Sequence, residues 1–479
     1  MGDYKFKTKP YDHQLECLKL SWNKTDYAYF MEMGTGKSKV AIDNMAALYI
    51  RGNVMATLII APKSVYQNWE RLEIPLHLPD YVQKRIVLWK ANITKKQKKL
   101  LQTLFEDSEE LKICIMNVES FSTSKGYRFA EKFLLSHPSM MILDESTSIK
   151  SPTAKRTKNI LELREFAKYR RILTGMPVTK WPLDLYTQCY FLDPYLLGFF
   201  SFYAFRNRYA VMKEIRMGAR SFKQVVSFQR LSELQDNLQK FSFRKLKSEC
   251  LDLPDKIYQI RNVQLTDEQQ KVYDQMKALT LAVFENKQVR ALDKLSQLLR
   301  LHQITCGHFP SQDGEIKALE NNKLTELLNV LEEIQGKVVI FATYRYDIKK
   351  IIKTLQETYG SESVEGYYGD TRSEDRQDII EKFQDSDSKL KYFVANPATG
   401  GLGITLTAAH TVIYYSNNYD LEKRKQSEDR VHRIGQNNKV TYIDIVAEGT
   451  IDEKILQTLK KKIQISTLVM GDEIKAWLV

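Results

Sequence analysis

Short apolar runs recur along this chain, and they constrain its fold more than any other feature. Each is stopped by a polar residue or a proline, and helical periodicity follows. Thr57–Ala61 stops at Pro62, Ile113–Met116 at Asn117, Met140–Leu143 at Asp144 and Arg171–Leu173 at Thr174-Gly175. Short runs without alternation suit strands buried on both faces of a parallel sheet. The pattern lapses after about residue 190 and returns at Lys337–Phe341, Tyr392–Ala395, Thr411–Tyr415 and Tyr442–Val446. An α/β fold with two parallel sheets follows. In open sheets of this kind, ligands bind outside the carboxyl ends of the strands, where the polar residues wait.

The spacing divides the chain into an N-terminal lobe over 1–195, a connecting segment over 196–318, a C-terminal lobe over 319–450 and a tail over 451–479. The connecting segment is rich in Lys, Arg, Gln and aromatic residues and has long helical periodicity. Leu292, Leu295, Leu298, Leu299 and Leu301 share one face there, which predicts a helical insertion. In the tail, Ile451, Ile455, Leu456 and Leu459 form an apolar stripe, and Lys460, Lys461 and Lys462 load the helix's C-terminal end.

Lys and Arg total 72 against 59 Asp and Glu, a net charge of +13. That excess fits a solvated basic surface or a polyanionic partner such as nucleic acid. The five cysteines are scattered with no C-x-x-C pair, which suits a reducing cytosol and argues against a disulfide framework or a zinc module. His302, Cys306 and His308 have no fourth ligand nearby and read as packing residues. The N-terminal residues form no apolar signal core. No apolar run approaches the ~20 residues a membrane span needs. These features lead to the expectation of a cytoplasmic protein without membrane contact.

Chemistry concentrates in a few places. Met31-Glu-Met-Gly34-Thr35-Gly36-Lys37-Ser38 reads as a phosphate-cradling loop. Its glycines admit close backbone approach, Lys37 neutralises β/γ phosphates, Ser38 can hold Mg²⁺, and the following helix aims its N-terminus at the anion. Met31 stands where the strict pattern has glycine. Asp144-Glu145 closes an apolar run, placing a carboxylate for Mg²⁺ beside one able to activate water. Arg430 and Arg433 are spaced i, i+3, so on a helix they share one face and can act as arginine fingers. His432 between them reads as a packing or hydrogen-bonding residue. Gln14, upstream of the loop, could read adenine through its amide.

Taken in order, these motifs resemble superfamily 2 helicases, and within them the Swi/Snf-type DNA translocases. The resemblance covers nearly the whole chain. Pro10–Gln14 resembles the glutamine motif and Met31–Ser38 the D-E-M-G-x-G-K-[ST] loop. Ile60–Trp69 is similar to motif Ia, Asp144–Lys150 to motif II and Leu173–Pro177 to motif III. Phe243–Lys247 with Leu253-Pro254 resembles the R-R-x-K…L-P segment. Gly400–Gly403 with Leu406 resembles motif V, and Arg430–Gln436 resembles motif VI, R-x-H-R-I-G-Q.

The resemblance implies two RecA-like lobes that bind ATP and Mg²⁺, with Gly401 and Gly403 also lining the nucleotide site. It implies movement along double-stranded DNA, with Lys63, Ser64, Asn117, Thr343, Thr371 and Thr399 as candidate phosphate contacts. Ser146 and Thr147 depart from the family's usual Ala or Gly, then His, in motif II. Asn417–Asp420 replaces the W-N-P stretch that usually precedes motif VI. The compact length resembles members encoded by phages or bacteria, which implies bacterial or phage-infected cytosol, a eukaryotic nucleus being the alternative. Three other readings stand: a strand-separating helicase, the motor subunit of a restriction or defence complex, and a nucleic-acid-binding protein without catalysis.

Overall fold

The computed structural model describes residues 4–63, 65–91, 94–217, 220–285, 291–310, 313, 315–372, 374–400 and 404–472. The chain forms two compact units. One takes in the described residues of 1–216, 221–251 and 464–474, the other those of 217–220 and 252–463.

The first unit contains strands β1 (Asp26–Met31), β2 (Ala56–Ala61), β3 (Lys84–Leu88), β4 (Leu111–Asn117), β5 (Ser139–Asp144) and β6 (Tyr169–Leu173). A ribbon of β7 (Ala210–Met217) and β8 (Arg220–Phe228) follows, and then β9 (Ser242–Lys245). Seven of these make one parallel sheet in the order β3-β4-β2-β5-β6-β1-β9. Alternate residues of each strand feed two cores. Ala28, Phe30, Leu58, Ile60, Met141 and Leu143 face one helical layer. Tyr27, Tyr29, Ile59, Ala61, Met140 and Ile142 face the other. Burial on both faces is why these strands read as unbroken apolar runs.

The second unit contains β10 (Lys256–Val263), the small pair β11 (His308–Pro310) and β12 (Ile316–Ala318), β13 (Lys337–Phe341), β14 (Val364–Tyr367), β15 (Tyr392–Ala395), β16 (Ala409–Tyr414) and β17 (Val440–Ala447). Its sheet is also parallel, in the order β10-β17-β16-β13-β15-β14. Val338 and Ile340 face one core, and Val339 and Phe341 the other.

The segment 196–318 is not the purely helical insertion its periodicity predicts. Its described residues include four α-helices, Phe202–Tyr209, Leu231–Gln239, Asp267–Glu285 and Ala291–Thr305, but also β7 to β12. β9 completes the first sheet and β10 the second. Both are edge strands with little side-chain burial, Phe243 alone being buried in β9 and Val263 alone in β10, so no apolar run marks them. The leucine stripe is likewise not a buried face: Leu301 is buried, whereas Leu295 and Leu299 are 57% and 55% exposed. The tail helix runs from Ile451 to Met470, with Ile451, Ile455 and Leu459 buried as the stripe requires. No described helix is long and apolar enough to cross a membrane.

Candidate active site

In the first unit the carboxyl ends of β4, β2, β5, β6, β1 and β9 stand side by side. They present, in that order, Asn117, Lys63 two residues past β2, Asp144, Thr174, the loop after β1, and Lys245. The loop passes from β1 into the helix Lys37–Ile50 through Gly34 and Gly36, whose φ angles of +81° and +86° favour glycine. A Cβ on Gly36 would lie 2.1 Å from Gln14 Nε2, so the residue is fixed by conformation and by space.

Gln14 braces the loop. Its amide N–H donates to the Thr35 carbonyl at 3.0 Å, and its carbonyl accepts from Tyr11 N–H at 3.0 Å. His13 Nε2–H donates to the same Thr35 carbonyl at 2.8 Å, and Thr35 Oγ1 donates to the Glu32 carbonyl at 2.7 Å. Lys37 is buried and reaches the Glu32 carbonyl at 3.4 Å. Ser38 is half-buried in the first turn of the helix.

Asp144 ends β5. Its carboxylate accepts from Trp69 Nε1 at 2.9 Å and from Glu145 N–H at 3.0 Å. Burial pushes its pKa above the usual carboxylate range, against the Trp69 hydrogen bond and the charge of Lys37. Glu145 has φ of +46°, in the left-handed region that costs a non-glycine residue about 1–3 kcal/mol. Thr174 Oγ1 donates to Glu145 Oε2 at 3.4 Å and accepts from Met176 N–H at 3.1 Å. The strained residue is therefore tied to the strand end beside it. Ser146 Oγ donates to Gln188 Oε1 at 2.6 Å, and Gln188 Nε2 donates to the Pro177 carbonyl at 2.8 Å. A Ser–Gln bridge thus links the loop after β5 to the loop after β6.

Two further supports act through tertiary contacts that sequence alone does not show, although Arg171 opens a strand run and Arg244 lies in the segment resembling R-R-x-K…L-P. Arg171 on β6 is fully buried. Its donors reach Asn44 Oδ1 and the carbonyls of Thr25, Arg170, Ser21 and Lys24 at 2.7–2.9 Å, anchoring the helix that carries Gln14. Arg244 on β9 donates to the carbonyls of Phe30 and Gly175 and pairs with Asp472 at 2.6 Å.

In the second unit the helix Leu421–Val431 carries Arg430. It ends one residue before His432, so Arg433 lies in the following turn and the two arginines do not share a helical face. Gly435, at φ +98°, turns the chain there. Arg430 is buried, and its carbonyl accepts from Leu406 N–H at 2.9 Å. Arg433 Nη1 donates to the Ile404 carbonyl at 3.4 Å. His432 is hydrogen-bonded to the Pro254 carbonyl at 2.7 Å. Gln436 Nε2 lies within 2.8–3.3 Å of the carbonyls of Ala409, Thr407 and Val431, stitching this turn to the segment before β16.

A buried ionic cluster fixes the arginine helix. Arg424 stacks 3.5 Å above the Tyr414 ring and pairs with Glu428 and Asp444. Lys256 and Lys425 approach the same Glu428 carboxylate at 3.3 and 3.6 Å. Burial alone would raise the Glu428 pKa. Lys425, Lys256 and Arg424 outweigh it and hold the group well below the carboxylate range.

The candidate nucleic-acid contacts divide. Lys63 is exposed. Asn117 uses its side-chain oxygen to accept from Ser120 N–H and Oγ. Thr343 and Thr399 follow β13 and β15 at one edge of the second sheet, and Asn396 Nδ2 donates to the Thr343 carbonyl. Thr371 Oγ1 is held between the Gly366 carbonyl and Tyr368 N–H. Its groove carries Glu365, Asp370, Asp375 and Asp378 together with Arg372 and Lys382, and Lys382 pairs with Asp378 at 2.8 Å. Ser64, Gly401 and Gly403 lie outside the described residues.

The family model of the SNF2-related domain matches residues 14–309, and that of the helicase conserved C-terminal domain matches residues 320–435. The CHD3-type chromatin-remodeling factor PICKLE of Arabidopsis thaliana is 25% identical, over 95% of this chain and 34% of its own. The putative ATP-dependent helicase/translocase YwqA of Bacillus subtilis is 27% identical, over 87% of this chain and 43% of its own. This chain therefore spans less than half the length of both relatives. A solved structure of the Sulfolobus solfataricus SWI2/SNF2 ATPase core in complex with dsDNA is 26% identical, covers 98% of this chain and 95% of its own, and gives a TM-score of 0.43.

Proposed function

This chain belongs to the SNF2-related family, and from that premise we propose that it is a DNA-stimulated ATPase that translocates along double-stranded DNA. The observation that carries the reading is the alignment, at one sheet edge, of the glycine loop, Lys37, Asp144, Glu145 and Thr174.

In this reading the loop amides and Lys37 bind the terminal phosphates, and Gln14 keeps the loop open by holding Thr35. Gln14 uses one N–H and one lone pair for that brace. Its remaining donor and acceptor capacity suits adenine. Ser38 and Asp144 offer hard oxygen donors that would hold a Mg²⁺ brought with ATP, and the ion would supply positive charge to the phosphates. Glu145, held by Thr174, orients and deprotonates the attacking water. Arg430 and Arg433 supply positive charge to the transition state. The net charge of +13 favours a polyanionic track, and contacts to phosphates alone give little sequence preference. Lys63, Ser64, Asn117, Thr343, Thr371 and Thr399 are the candidates for those contacts.

The test is ATP turnover with duplex DNA, single-stranded DNA and RNA in parallel. Duplex DNA should stimulate most. Stimulation by RNA alone would overturn the reading, and equal stimulation by single strands would favour a strand-separating helicase.

A further inference from the structure

β9 lies beside β1, with Met31 opposite Lys245. Two hydrogen bonds then clamp the chain leaving β9 to the first residue of the phosphate loop. Glu32 N–H donates to the Lys245 carbonyl at 2.9 Å, and Lys247 N–H donates to Glu32 Oε2 at 2.8 Å. The clamp carries the Lys247 side chain over the loop. Its Cε lies 3.6 Å from the point a Cβ would occupy on Gly34, the exposed residue at the loop's crest. The ammonium is one bond of about 1.5 Å further on.

Lys247 itself is only 4% exposed. Here it is buried beside a loop whose glycines and following helix are arranged for an anion. Lys37 approaches that loop from the helix after it, and Lys247 approaches from the edge strand.

We propose that Lys247 is a second phosphate-binding lysine of the nucleotide site, contacting the polyphosphate from the β9 side. The proposal rests on the ATP-binding reading of the loop and adds a residue to it. A charge-assisted contact of this kind contributes about 1.5–3 kcal/mol, or roughly 10- to 100-fold in affinity.

The test measures binding of ATP, ADP and AMP, with melting temperature, for the wild type and the Lys247→Met, Lys247→Arg and Lys37→Ala variants. Lys247→Met should keep the wild-type melting temperature and lose roughly tenfold or more in ATP and ADP affinity, with AMP affinity unchanged. Lys247→Arg should recover most of the loss. Wild-type ATP affinity in Lys247→Met overturns the proposal, and so does an equal loss for ATP and AMP, which marks a structural prop. If Lys247→Met melts early, Lys247→Arg decides: a folded protein that still prefers ATP to AMP as the wild type does supports a cationic contact, and loss of that preference overturns it. A wild type that binds no ATP, or a Lys37→Ala variant that binds it normally, refutes the loop reading instead and is recognised without any Lys247 variant.

Discussion

Gly36→Ala should show how tightly the glutamine helix and the phosphate loop are interlocked. At φ +86° an alanine costs about 1–2 kcal/mol in backbone strain alone. Its Cβ would also fall 2.1 Å from Gln14 Nε2 and 3.1 Å from Cδ, so the carboxamide must leave. Departure breaks the bond to Thr35, about 1 kcal/mol, and strands a buried amide at a further 1–3 kcal/mol or so. The single substitution should therefore cost about 3–6 kcal/mol. Gln14→Ala alone should cost about 1–2 kcal/mol, because His13 still satisfies the Thr35 carbonyl. With Gln14 already truncated, Gly36→Ala should add only the strain, so the pair should couple by about 2–4 kcal/mol. Urea unfolding followed by tryptophan fluorescence reads this directly. Four of the five tryptophans, Trp22, Trp69, Trp89 and Trp181, belong to the first unit. Additivity within about 0.5 kcal/mol would refute the packing argument.

Three other outcomes are expected. Glu145→Gln should bind ATP like the wild type while turnover falls by orders of magnitude, and wild-type turnover in a steady-state assay would remove Glu145 from its assigned role. Arg171→Met leaves four backbone carbonyls and Asn44 without their buried donor, so first-unit stability should drop by about 3–5 kcal/mol in the same urea experiment; a loss below about 1 kcal/mol contradicts it. Glu428 has a depressed folded pKa, so its contribution is complete above the ordinary value of 4.5 and is lost as pH falls below it. The melting-temperature gap between wild type and Glu428→Gln should therefore narrow from pH 7 to about pH 3, and a constant gap would show that the cation cluster does not hold the group.

The doubly covered strands were legible in the sequence because burial on both faces removes alternation. Thr57–Ala61 and Met140–Leu143 are examples. β3, β9 and β10 were not. Each is an edge strand, and charges such as Lys84, Arg244 and Lys256 interrupt its apolar content. Lys37, Asp144 and Glu145 were readable because phosphate and carboxylate chemistry restricts residue type at close spacing. Their supports were legible only in part: Trp69, Thr174 and Lys247 lie in motif-like segments that do not show what each side chain touches, and Gln188 and Arg171 act through tertiary contacts far apart in sequence. The left-handed backbone at Glu145 has no sequence signal, because glutamate does not favour that conformation. The helix end before Arg433 was missed because i, i+3 spacing shows where two residues would meet on a helix but not where the helix stops.

Movement along a paired duplex is the central claim, and displacement of a triplex-forming strand tests it most directly. With ATP, the wild type should release the third strand while the underlying duplex stays paired, and Glu145→Gln should release none. Unwinding of a blunt duplex at a comparable rate, or no ATP-dependent release of the third strand, would contradict the account.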